Sequence, residues 1–232
     1  MNSGKVNLMH RSYVRIAMLL ALTAICWLPT AASAAVVLGD VVTVGNVTAT
    51  SALVDVPIYI RDVSGTPLGV DQPPGSKIQS YSIKVDYTPA SAISIASPGR
   101  AGITASLTPL SEFTPTTPGS ASIIDVFEES TNPIPFVLNA APPGNQVAHI
   151  LFQLSPSVVP GSVIPLTLDP ALTQLANDGG TTTETTTNGG LVLVPGSITI
   201  PINFVYQIPT LSHWALALLA MSLAFVAVRF RM

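Results

Sequence analysis

The sequence predicts an all-β domain, a single jelly-roll β-sandwich over residues 35–200. Three observations predict it. Apolar and polar residues alternate with a period of two through most of that span, as in strands with one buried face. Pro and Gly, 21 and 16 of the 232 residues, interrupt the alternation at short intervals, as turns between strands do. Amphipathic stretches of helical period are scarce, which leaves a sandwich as the way to bury the apolar faces.

The elements follow in order. Val36 to Val44 is a first apolar run. Between Ser51 and Ile60, Val54, Val56, Ile58 and Ile60 share one face, and Leu53, Asp55, Pro57 and Tyr59 the other. Pro57 has no N–H for a ladder, so this strand is expected at an edge or a bulge. Residues 61–77 form a Gly-, Pro- and Asp-rich loop. Lys77 to Tyr87 is the clearest strand, with Gln79, Tyr81, Ile83, Val85 and Tyr87 on its inner face. Ile93 to Ile95 and Ile103 to Leu107 are short strand candidates around a turn at Ser97-Pro98-Gly99-Arg100.

Ser120 to Phe127 is a further strand, with Ile124 and Val126 on one face and Asp125, Glu128 and Glu129 at a solvated end. A Pro-rich connection, 132–144, leads to Val147–Leu154, where Ala148, Ile150, Phe152 and Leu154 point inward. After the Pro160-Gly161 turn, Ile164, Leu166 and Leu168 do the same. Ala171 to Ala176 has the length of one helical turn. The Thr tract from Thr181 to Thr187, broken only by Glu184, reads as a solvated loop tip. Leu191 to Ile200 closes the domain, with a bulge or kink at Pro195-Gly196.

Both ends have a different character. Lys5, Arg11 and Arg15 precede an apolar run from Ile16 to Leu28, and Ala32-Ser33-Ala34 is an A-x-A cleavage site. This is the pattern of a secretory signal peptide, residues 1–34, with Ala35 as the mature amino terminus. A permanent amino-terminal membrane helix is the alternative. The one Cys, Cys26, lies inside that apolar run after Ile25. The mature chain is therefore expected to have no disulfide, thiolate metal site or Cys nucleophile. At the other end, a linker at 201–207 precedes an uncharged segment from Leu211 to Val228. As a helix it would span about 27 Å, close to a bilayer's ~30 Å hydrocarbon core. Trp214 stands at an interfacial position, and Arg229 and Arg231 form a basic stop.

Charge narrows the function. All 12 acidic residues fall between 35 and 207, where only Arg61, Lys77, Lys84 and Arg100 are basic, a net of −8. Such a surface argues against nucleic acid and against electrostatic docking on anionic lipid.

The tail Ile208-Pro209-Thr210-Leu211-Ser212-x-Trp214, its apolar run and its basic end resemble the IPTL-CTERM sorting signal of Gram-negative bacteria. That signal is related to the PEP-CTERM signals read by exosortases. The chain differs from the usual pattern in carrying His213 where an acidic residue is common, and in having only two Arg at its end. The resemblance implies transient membrane anchoring at 208–232, cleavage near Ile208–Leu211 by an exosortase-type enzyme, and transfer to the cell surface. A plain uncut membrane anchor is the alternative.

A second resemblance covers most of Val41 to Ile200. Val54-Asp55-Val56-Pro57, then Val85-Asp86-Tyr87-Thr88-Pro89, then Pro160-Gly161-Ser162 leading to Leu168, then Gly196-Ser197-Ile198-Thr199-Ile200 follow the order and spacing of a cohesin. Thr88 stands where the family's corner usually has Asp. The resemblance implies a nine-stranded jelly roll related to carbohydrate-binding modules, and a dockerin-bearing protein or a polysaccharide as partner.

Catalytic patterns are not apparent: no Gly-x-Ser-x-Gly, no His-Glu-x-x-His, no phosphate loop and no EF-hand loop. His149 is expected to point outward with Leu151 and Gln153. No catalytic, cofactor-binding or metal-ligating set emerges, although Asp71, Asp86 and Asp178 are candidates to meet at loop ends and hold Ca²⁺. Tyr59 is a candidate for a binding face. The sequence thus predicts a non-enzymatic, surface-sorted binding module. A structural envelope or matrix protein without a discrete ligand is the alternative. A binding module should cluster outward Tyr, Leu or Asn on one flat sheet face.

Overall fold

The computed structural model describes residues 39–205. The expected signal peptide with Ala32, Ala34 and Ala35, and the tail from Ile208 to Arg231, lie outside the described residues. Among the described residues no helix is long and apolar enough to cross a membrane.

Among the described residues, fourteen strands build two sheets. In chain order they are β1 (Asp40–Val44), β2 (Asn46–Thr48), β3 (Leu53–Arg61), β4 (Ser80–Tyr87), β5 (Ile93–Arg100), β6 (Ser111–Phe113) and β7 (Thr116–Thr117). There follow β8 (Ser120–Val126), β9 (Asn145–Leu154), β10 (Val163–Leu168), β11 (Gln174–Ala176), β12 (Thr183–Glu184), β13 (Leu191–Val194) and β14 (Gly196–Thr199). The five-stranded sheet has the order β13-β1-β3-β9-β5. The nine-stranded sheet runs β12-β11-β4-β10-β14-β2, with β8 against β4 and with β6 and β7 against β8.

The core lies between the two inward faces. Val54, Val56, Ile58 and Ile60 of β3 are buried, as are Ala148, Ile150, Phe152 and Leu154 of β9. Tyr81, Ile83, Val85 and Tyr87 of β4 face them from the other sheet, with Ile164, Leu166 and Leu168 of β10. The period-two reading of these strands is therefore borne out residue by residue. Tyr87 and Phe152 meet across the sandwich edge to face, with ring centroids 5.4 Å apart. Such a pair adds about 0.5–1.5 kcal/mol beyond its area burial.

Two pairs of strands change sheets together. β1 and β2 are separated by Gly45, and β13 and β14 by Pro195. β1 pairs with β13 in one sheet and β2 with β14 in the other, both in parallel. The predicted kink at Pro195-Gly196 is thus a crossing between layers. The backbones approach closely there: a Cβ on Gly196 would sit 2.4 Å from the Gly45 carbonyl oxygen.

Several expectations are corrected. Of the two expectations for Pro57, the edge is excluded, because β3 pairs with both β1 and β9, and the bulge agrees with the register shift between Ile58 and Tyr59. Ser97–Arg100 is not a turn: β5 continues through it, shifting register between Ile95 and Ser97. An outer strand tolerates Pro98 because one of its sides needs no N–H donor. Ile103–Leu107 is no strand; Gly102–Thr104 forms a 3₁₀ turn. Ala171–Ala176 gives no helical turn, because β11 finds partners in β4 and β12. Asp125 is not solvated but fully buried, since β8 turns Ala121, Ile123 and Asp125 inward; Phe127, just after β8, is buried too. Glu184, in the middle of the Thr tract, is also fully buried.

Candidate binding face and sorting signal

Alternation in β4 and β8 turns their other residues outward on the nine-stranded sheet. Cross-strand register aligns Phe113 with Ile124 and Ile124 with Ser82, then Ser82 with Gln174. The next rows align Ser111, Val126 and Ser80, then Ser122 with Lys84, and Ser120 with Asp86 and Thr167. Phe113 is 60% exposed, and Leu110, just before β6, is 66% exposed. Ile124 and Val126 beside them are half-buried. The face therefore grades from an apolar margin, through a stripe of serine hydroxyls, to a charged margin.

Three side chains organise the charged margin. Lys84 Nζ lies 2.9 Å from Asp169 Oδ2 and 3.6 Å from Asp86 Oδ1. The hydrogen bond to Asp169 raises the lysine's pKa and lowers that of Asp169. Behind the face, Tyr81 donates its hydroxyl to Asp125 Oδ2 at 2.6 Å. Burial pushes the Asp125 carboxyl up, against the lowering effect of that hydrogen bond.

The five-stranded sheet has a different outward face. His149 points outward as expected, and its Nδ1 lies 2.8 Å from Asp55 Oδ1, a partner in space that the sequence did not reveal. Tyr59 is outward and half-buried, in register with Thr43. It is thus remote in register from Phe113, and the two outward aromatics do not form one platform.

The three carboxylates considered for Ca²⁺ are engaged separately. Asp71 accepts from the Gly65 N–H, Asp86 faces Lys84, and Asp178 accepts from the Glu129 N–H. Among the described residues, no three His, Cys, Asp or Glu side chains form a group that could hold a metal ion. The sequence reading missed another acidic set, Asp40, Asp62 and Glu184, all fully buried. Burial, then the charge of Glu184, pushes the Asp40 carboxyl up to about 9. Burial raises Glu184 and Asp62 as well. One cue was visible: a single acid in a run of Thr.

Residues 206–232 match the IPTL-CTERM motif. The third cohesin of ScaC from Acetivibrio cellulolyticus, solved in complex with the ScaB dockerin, superposes with a TM-score of 0.52 at 21% identity. That match covers 70% of this chain and 99% of the cohesin. The fold is cohesin-like. CaCohA2 from Clostridium acetobutylicum gives a TM-score of 0.51 at 19% identity, over 72% of this chain and 93% of its own. No curated protein matches the sequence. At these identities the likeness establishes the fold of the cohesin-like domain. The motif that follows the domain implies export and sorting to the cell surface.

Proposed function

We propose that this chain is an exported, surface-sorted, non-enzymatic binding module whose cohesin-like domain receives a dockerin-like protein on the outward face of the nine-stranded sheet. The observation that carries the reading is the Phe113–Ile124 apolar margin, which shares one sheet face with serine hydroxyls and the Lys84 network. Apolar anchors beside satisfiable polar groups are the composition of a protein-binding patch. A solved relative with the same fold is held in complex with a dockerin. A polysaccharide is the weaker candidate for this face. Both Trp residues, Trp27 and Trp214, lie outside the domain, and Tyr81 and Tyr87 are buried, so the face lacks a row of rings for sugars to stack on.

Export by the signal peptide, anchoring through the 211–228 helix and processing by an exosortase-type enzyme complete the proposal. The test uses the full chain in detergent as bait for secreted proteins of the native host, with Phe113→Ala/Ile124→Ser and, on the other sheet, Leu53→Ala as comparisons. A dockerin-bearing protein retained by wild type and by Leu53→Ala, but lost with the double variant, is the expected result. Retention by all three baits would refute the chosen face. Binding to soluble polysaccharide that the double variant retains would refute the protein-partner reading.

A further inference from the structure

The loop between β3 and β4 folds over buried acids that have too few donors. Asp40 Oδ1 accepts from the Val63 N–H at 2.8 Å, Glu184 Oε1 from the Leu68 N–H at 2.8 Å, and Asp62 Oδ2 from the Val70 N–H at 2.8 Å. Each acid thus anchors one loop amide through one oxygen. The second oxygens, Asp40 Oδ2, Glu184 Oε2 and Asp62 Oδ1, are buried and receive no N–H or hydroxyl donor from the surrounding residues. The Asp40 and Glu184 carboxyl groups are within hydrogen-bond reach of each other, and Asp62 adds its negative charge to both. None of the ion pairs among the described residues involves any of the three.

Thr66 extends the oxygen excess. Its hydroxyl lies 2.6 Å from the Leu68 carbonyl oxygen, 2.8 Å from that of Val63 and 3.2 Å from Asp40 Oδ1. One hydroxyl proton cannot serve three acceptors. Two carboxylates, a hydroxyl and two carbonyls therefore crowd together with a deficit of positive charge. A buried, unpaired carboxylate is costly, and an orphaned buried oxygen calls for a proton, a water or an ion.

We propose that this pocket is a Ca²⁺ site, with Asp40 and Glu184 as carboxylate ligands, the Thr66 hydroxyl and the Val63 and Leu68 carbonyls as neutral ligands, and Asp62 as an outer negative charge. The donor set is all oxygen and mixes carboxylate with carbonyl, as Ca²⁺ prefers; it has no nitrogen or sulfur to favour a transition metal. A shell drawn from two acids and neutral oxygens does not need three converging acidic side chains, and none converge here. The site joins β1, the 62–71 loop and β12, so the ion ties three segments that are distant in sequence.

The test is calorimetric titration of the EDTA-treated full chain with Ca²⁺ in detergent, with thermal melts alongside. One Ca²⁺ should bind per chain, with a sub-millimolar dissociation constant in the range of extracellular calcium modules. At a hundredfold excess over that constant, the melting temperature should rise by roughly 5–10 °C. Glu184→Gln should lose both responses. Should that variant fail to fold, hydrogen exchange on wild type decides. Added Ca²⁺ should slow the Val63, Leu68 and Val70 amides at least about tenfold, because it holds the acids that bind them. No stoichiometric binding and no effect of EDTA would overturn the site and leave the acids sharing a proton. Binding undiminished in Glu184→Gln, or wild-type exchange at these amides unchanged by Ca²⁺, would also overturn it.

Discussion

Tyr81 and Asp125 face each other on neighbouring strands, both inside the core, joined by a 2.6 Å hydrogen bond from the phenol to the carboxyl. Asp125 Oδ1 has no partner of its own, so Tyr81 is the side chain that makes this buried acid tolerable. Tyr81→Phe should destabilise the protein by about 1–3 kcal/mol, the cost of orphaning a buried polar group. Urea unfolding checks it. Replacing both residues, as Tyr81→Phe/Asp125→Leu, should recover part of the loss, because no stranded oxygen then remains.

Gly196 sits where the chain changes sheets. A methyl group there would meet the Gly45 and Val44 carbonyl oxygens at 2.4 and 2.6 Å. The obstacle is backbone on both sides, which cannot rotate aside. Gly196→Ala is expected to cost about 1–3 kcal/mol, read as a lower urea midpoint.

The metal-free protein should lose stability as pH rises. Asp40 titrates near 3.8 ordinarily and about 9 in the fold, with burial as the main cause and Glu184 second. The folded state therefore binds the proton more tightly than the unfolded chain. That contribution is complete below about pH 4 and falls away between about 4 and 9. Urea midpoints in EDTA should decline across this window, and Asp40→Asn should flatten the decline. Saturating Ca²⁺ should also flatten it, since the cation replaces the proton.

Sorting is tested in the native host. Changing Ile208, Pro209, Thr210 and Leu211 together to Ala should leave membrane insertion intact, because the 211–228 segment keeps its apolar length. Carboxyl-terminal trimming should cease. Intact mass of the purified protein reads both ends at once: a mature species starting at Ala35 and lacking Trp214 onward is expected for wild type only. Equal trimming of the variant would refute the sorting motif's role.

Much of this molecule was legible in its sequence, and the reason is periodicity. In β3, β4, β9 and β10 every second residue is apolar, and one sheet face is dry while the other is wet. Alternation therefore fixes which residues are buried before any partner is known. The tail was legible for another reason: the 206–232 motif is linear, so its residues are read without folding.

Only the tertiary structure decided the rest, because it depends on partners distant in sequence. Asp125 and Glu184 look solvated in a linear reading, yet Tyr81 and the Leu68 amide are what they meet. Pro98 reads as a turn until β9 pairs alongside it on one side only. Pro57 reads as an edge or a bulge, and only the pairing of β3 with both β1 and β9 and the register shift between Ile58 and Tyr59 decide between them. Phe113 and Ile124 become a patch only through the pairing of β6 with β8. Local chemistry set the faces of the strands; the order in which strands came together set what each buried acid, proline and outward apolar group would touch.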